Sequence, residues 1–118
     1  MAIKLNEKAI AHAEKLIKAH EFEYNHVPWS EANPTSSQTV RYLNTHDLEE
    51  YGEWFLGVDT DNAKVESKER YIYPVGDFSE IQRSALKLAA ENAKKQNHQE
   101  VAQAAQRLLD LIEKSHRQ

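Results

Sequence analysis

The chain has no cysteine, only three glycines and three prolines, and no apolar run near the length of a membrane span in its 118 residues. Without thiols, disulfides, thiolate zinc sites, iron-sulfur clusters and cysteine nucleophiles are excluded. So few glycines leave no phosphate-cradling loop, and no Gly-x-Ser-x-Gly elbow occurs. The segment Met1 to Lys8 has no apolar stretch after its charges, so neither a secretory leader nor a membrane anchor is expected, and the expected location is cytoplasmic.

What is present is a heavily charged, helix-patterned chain. Hydrophobic residues make up 40% and charged residues 29%, with a mean hydropathy of -0.79, which implies a thin core under a polar surface. Apolar residues nevertheless recur at regular spacing, so the chain folds, and its length suits one domain over residues 1–118. The net charge of -4 is uneven: residues 1–58 carry five Lys/Arg against nine Asp/Glu, whereas the remainder balances at ten each. An acidic half repels phosphate backbones and would suit a basic partner, but an imbalance this small is more simply a solvated surface.

Asn6 can cap a helix over 7–21, with Ala9, Ile10, Ala13, Leu16 and Ile17 on one face and Leu5 stapled onto Ile10. Residues 22–34 hold Phe22, Tyr24 and Trp29 without period and read as an ordered loop anchored by its rings. Thr35 and Gln38 form a capping box for a short helix over 35–44, with a strand through Thr39 to Leu43 as its rival, and Asp47 or Thr45 opens another helix over 46–56 that Gly57 would stop. A polar connection spans 59–70. Tyr71-Ile72-Tyr73-Pro74 favours extended backbone, and the region from Phe55 to Val58 could pair with it. Ser79 with Gln82, and Asn97 with Glu100, then read as capping boxes for helices over 80–96 and 98–114. Alanines at 85, 89, 90, 93, 102, 104 and 105 would let these two approach closely as a hairpin. The fold class is therefore mainly α, a small single-domain helical fold with a C-terminal helical hairpin. The central aromatic block leaves room for one short β-hairpin.

Six histidines invite a metal, yet His12 and His20 fall roughly 80° apart on a helix and no His-x-x-x-His pair exists. Neither a metal nor another cofactor is expected. Asp59-Thr60-Asp61-Asn62 resembles the start of a calcium loop, but Ala63, Lys64 and Arg70 stand where it needs a ligand, a glycine and a bidentate carboxylate. Arg83, Lys87 and Lys94 share a flank that Glu80 and Glu91 interrupt, which disfavours nucleic acid. No catalytic residue is assigned. The strongest site candidate is Trp54: with Leu48, Tyr51 and Phe55 facing inward, it falls about 100° off that face on helical geometry. Flanked by Glu50 and Glu53, an exposed indole would anchor a basic or amphipathic protein. The competing reading covers it with Trp29 and Tyr24 as part of a satellite core.

Trp54-Phe55-Leu56-Gly57-Val58-Asp59, Tyr71-Ile72-Tyr73-Pro74-Val75-Gly76-Asp77 and Arg83-Ser84-Ala85-Leu86, followed by His98 and the alanines at 104 and 105, resemble small hypothetical bacterial proteins over about residues 45–113. The same order is similar to segments of tailed-phage head-assembly proteins, from which residues 1–44 depart. The resemblance implies one compact module with a partner-binding role, and it carries no catalytic residue. The resulting expectation is a non-catalytic protein-interaction module. A small-molecule or metal-assisted enzyme is the first alternative, to be favoured if two or more of His20, His26, His46 and His98 come within reach of each other; a phage- or nucleic-acid-associated accessory is the second.

Overall fold

In the computed structural model, which describes residues 3–24, 28–60 and 70–116, helices carry most of the chain and short strands tie them together. The order is β1 (Ile3–Leu5), α1 (Glu7–Lys18), β2 (Phe22–Glu23), α2 (Trp29–Ala32), α3 (Ser36–Thr45), α4 (Leu48–Gly52), β3 (Phe55–Asp59), β4 (Tyr71–Pro74), β5 (Ile81–Gln82), α5 (Arg83–Lys95) and α6 (Gln99–His116).

The α5 and α6 stripes pack together as the alanine spacing implies, burying Leu86, Ala89, Ala93, Val101, Ala105, Leu108 and Ile112. Helix α1 lays Ala9, Ile10, Ala13 and Ile17 against the same core. Between α5 and α6 the chain reverses at Asn97, which is left-handed at φ 62°, while the His98 N–H donates to the Ala93 carbonyl at 2.8 Å. Asparagine tolerates that conformation, so Asn97 ends α5. This is a different task from the capping box expected of it.

Strands supply what periodicity did not reveal. β3 is the centre of an antiparallel sheet ordered β1-β3-β4, with Leu5 opposite Gly57 and Gly57 opposite Ile72. The pairing of 55–58 with 71–74 thus exists, and β1 adds a third strand. The expected helix over 46–56 stops at Gly52, and Gly57 stands inside a strand. The physical reason is pairing: Phe55 and Val58 favour extended backbone, Phe55 lies opposite Pro74 of β4, and Gly57 and Val58 find a partner on each side. Asn6 locks this change of direction, because its side-chain amide donates to the carbonyls of Gly52 at 2.9 Å and Phe55 at 3.2 Å rather than capping α1. Helix α1 ends at Lys18 rather than 21.

The expected helix start at residue 80 also gives way. Ile81 and Gln82 pair in parallel with Phe22 and Glu23, and α5 begins at Arg83. Asp77, not Ser79, orders this turn, its Oδ1 accepting from the N–H groups of Ser79 at 3.1 Å and Glu80 at 2.9 Å. Within the expected loop of 22–34, β2 and α2 form, and residues 25–27 lie outside the described residues. Of the polar connection, 61–69 lie outside them as well. Tyr24 does anchor its segment: its ring stacks on His116 at 3.6 Å and its hydroxyl donates to Glu113 Oε2 at 3.0 Å. The Arg83 guanidinium lies 4.9 Å from the ring centroid and pairs with Glu113 at 3.1 Å. The capping box at Thr35–Gln38 forms as the sequence implies, and of the two residues offered for the next helix start it is Asp47 that caps α4, in a box with Glu50.

Candidate functional site

Trp54 does not present its indole to solvent. Only 4% of it is exposed, and its Nε1–H donates to the Tyr42 hydroxyl at 3.1 Å. His12 meets it edge-on at 4.9 Å and Phe78 at 6.0 Å. A surface anchor rimmed by carboxylates is therefore not what the fold offers at this position. Because α4 ends at Gly52, the helical geometry that would have aimed Trp54 outward does not extend to it. The satellite-core alternative is closer, but Tyr42 and Phe78 provide the cover instead of Trp29 and Tyr24. Glu50 is exposed and is engaged in the box with Asp47, accepting from its backbone N–H at 3.1 Å. Glu53 follows α4, half-buried.

The histidines take separate stations. His46 stacks on Tyr42 at 3.9 Å, His20 lies 6.0 Å from Phe22, and Nδ1 of His98 is 2.6 Å from the Tyr73 hydroxyl. His26 lies outside the described residues. Among the described residues, no three His, Asp or Glu side chains stand close enough to hold a metal ion.

His12 is half-buried beside Trp54, and burial pushes its imidazole below the ordinary histidine value; Lys15 adds to this while Glu53 and Glu21 oppose it. The unfolded chain then takes up a proton at about pH 6.5 that the folded chain still refuses. Stability should be fully present above that value and decline as pH falls through it. Urea unfolding between pH 7 and 5 should show a steeper decline in the wild type than in His12→Gln; equal slopes would acquit His12.

A different feature draws together residues of three elements. A hollow of about 320 Å3 lies where Trp29 of α2, Ile72, Tyr73 and Pro74 of β4, and Ala85, Leu88, Ala89, Asn92 and Gln96 of α5 meet. None of the nine is charged, in a chain where 29% of residues are. Leu88 remains 41% exposed, and Trp29 is half-buried. β4 forms the edge of its sheet, with no strand beyond it among the described residues. Beneath, Tyr73 holds a left-handed φ of 64°, a costly conformation for a large side chain. Its ring is buried, and burial pushes its hydroxyl above the ordinary tyrosine value.

The wall offers apolar contact and two carboxamides, which can donate or accept hydrogen bonds; the one hydroxyl among its residues, that of Tyr73, is held 2.6 Å from Nδ1 of His98. In the sequence, helical spacing puts Leu88 on one side of α5 with Ala85, Ala89 and Asn92. What the spacing missed is that Leu88 is the surplus of that stripe, and that Trp29 and β4 complete a site around it. The visible clue was the polar continuation of an apolar stripe at Asn92 and Gln96.

Comparison of the chain with protein families, with curated proteins and with solved structures finds no match to any of them.

Proposed function

We propose that this protein acts without catalysis, by binding another protein, and that the groove between Trp29, β4 and α5 receives one bulky, uncharged side chain from an amphipathic partner segment. The observation that carries this reading is the exclusion of charge from the groove, because interface centres shed charged residues while the surrounding surface keeps them. A tryptophan wall and an exposed leucine are the contacts such an anchor would use. A small neutral ligand is the second reading, since about 320 Å3 lies at the low end of ligand-site volumes and Asn92 and Gln96 could orient it.

An array of amphipathic peptides carrying varied central residues tests the first reading with wild-type protein and Leu88→Asp. Peptides centred on a large aliphatic or aromatic residue should bind the wild type and bind the variant at least about tenfold more weakly, a difference of about 1.4 kcal/mol. Because Leu88 is partly exposed, unfolding should move by no more than about 0.5 kcal/mol. Equal binding by both proteins, or no peptide binding, removes the groove as the docking site. Binding of neutral aromatic fragments with no peptide binding would install the second reading in its place.

A further inference from the structure

Among the described helices, α2 and α3 bury no residue, whereas α1, α4, α5 and α6 each bury at least two. α2 nonetheless joins the wall of the groove through Trp29. α3 has less to hold it. Its Val40 is 54% exposed, and its hold on the aromatic cluster rests on Tyr42. That ring stacks on Phe78 at 4.6 Å, and its hydroxyl accepts the Trp54 Nε1–H at 3.1 Å. Segments with little buried apolar surface open at lower free energy than the core beneath them.

The joints at either end fit such an opening. Asn33 and Thr35 precede α3 with extended ψ values of 128° and 167°, and His46 follows it at φ -134°, ψ 151°. The end contacts of α3 are its own. Thr35 and Gln38 cap its start reciprocally, and at its finish the His46 N–H donates to the Tyr42 carbonyl at 2.9 Å. α4 is likewise capped by its own Asp47–Glu50 box. Swinging α3 away therefore breaks neither cap, and the bonds it sacrifices are concentrated at Tyr42.

From this geometry we infer that α3 is a strap: it leaves the body as one segment, without general unfolding, and thereby uncovers the Trp54 indole, while its own ten-residue helix, marginal in water once off the body, loses the protection of its amides. In the closed state, the largest side chain of the aromatic block is hidden beneath Tyr42. In the open state, that indole and the ring of Phe78 become surface. The device is separate from the Trp29 groove, since α2 and α5 keep their places.

Native-state hydrogen exchange read by NMR tests it on the wild-type protein. The backbone amides of α3 should exchange at least about 100-fold faster than the slowest amides of α5 and α6. The indole N–H of Trp54 should exchange through the same opening, with the same weak dependence on low urea. Tyr42→Phe, which removes only the hydroxyl, should speed both by roughly tenfold, and should speed by no more than the same factor the α5 and α6 amides that exchange through global unfolding. If the indole is as protected as α5 and α6 while α3 exchanges quickly, α3 merely frays and the inference fails. It fails equally if α3 is as slow as the core. Both of these outcomes are measured on the wild type, so a poorly folded variant cannot blur them.

Discussion

Replacing Trp54 with alanine should cost the fold about 3–5 kcal/mol, the range for truncating a buried tryptophan. The side chain is 4% exposed and touches four separate parts of the structure: His12 on α1, Tyr42 on α3, Gly76 after β4, and Phe78. Its loss removes apolar burial, leaves the Tyr42 hydroxyl without the indole donor, and opens a void bounded by elements that cannot all collapse together. Urea unfolding followed by circular dichroism gives the number directly. A loss below about 1 kcal/mol would mean that the indole is not packed as described, because surface substitutions fall in that range.

Gly76→Ala should be the second severe change, at about 3 kcal/mol, the upper end of what overpacking a core costs. A β-carbon there would lie 2.4 Å from Cζ3 of Trp54 and 2.5 Å from the backbone oxygen of Glu80. The glycine serves for space and not for an unusual backbone angle, since no glycine in the described chain has positive φ. Neither neighbour yields easily. The indole is clamped by its contacts, and the Glu80 carbonyl accepts from the Asp77 N–H at 3.2 Å in a turn that the Asp77 carboxylate also holds. The two substitutions should couple: with Trp54 already truncated, half of the obstruction at position 76 is gone. The double variant should therefore lose measurably less than the sum of the singles. Strict additivity in that cycle would show that the clash with the Glu80 backbone accounts for the whole cost.

These two positions also show where the sequence was legible and where it was not. The α5–α6 pair could be read because thirteen and eighteen residues are long enough for a stripe of alanine and leucine to declare its period. Tyr71 to Pro74 could be read as extended because proline and adjacent β-favouring residues act locally. β1, β2 and β5 could not. Strands of three, two and two residues have no period of their own and exist only because distant partners meet them. That pairing also defeated the capping pattern at Ser79 and Gln82, since Gln82 was drawn into β5. The Trp54 site failed for the same cause one step removed: its outward direction was inferred from a helix that pairing cut short at Gly52. The groove drew on α2, β4 and α5, so only its α5 share was visible along the chain.

The long-range closure of the core sets an order for biosynthesis. Helix α1 packs on α6, β1 pairs with β3, and β2 pairs with β5, whereas α5 and α6 meet across a single turn. On a ribosome, the segment Ala9 to Ile17 emerges with an apolar face whose covering helix has yet to be made. Until residues 99–116 are synthesised, that face is a chaperone's substrate or a neighbour's sticking point. Crowded polysomes are thus the setting in which this small protein is most exposed to aggregation, and slower translation prolongs the hazard.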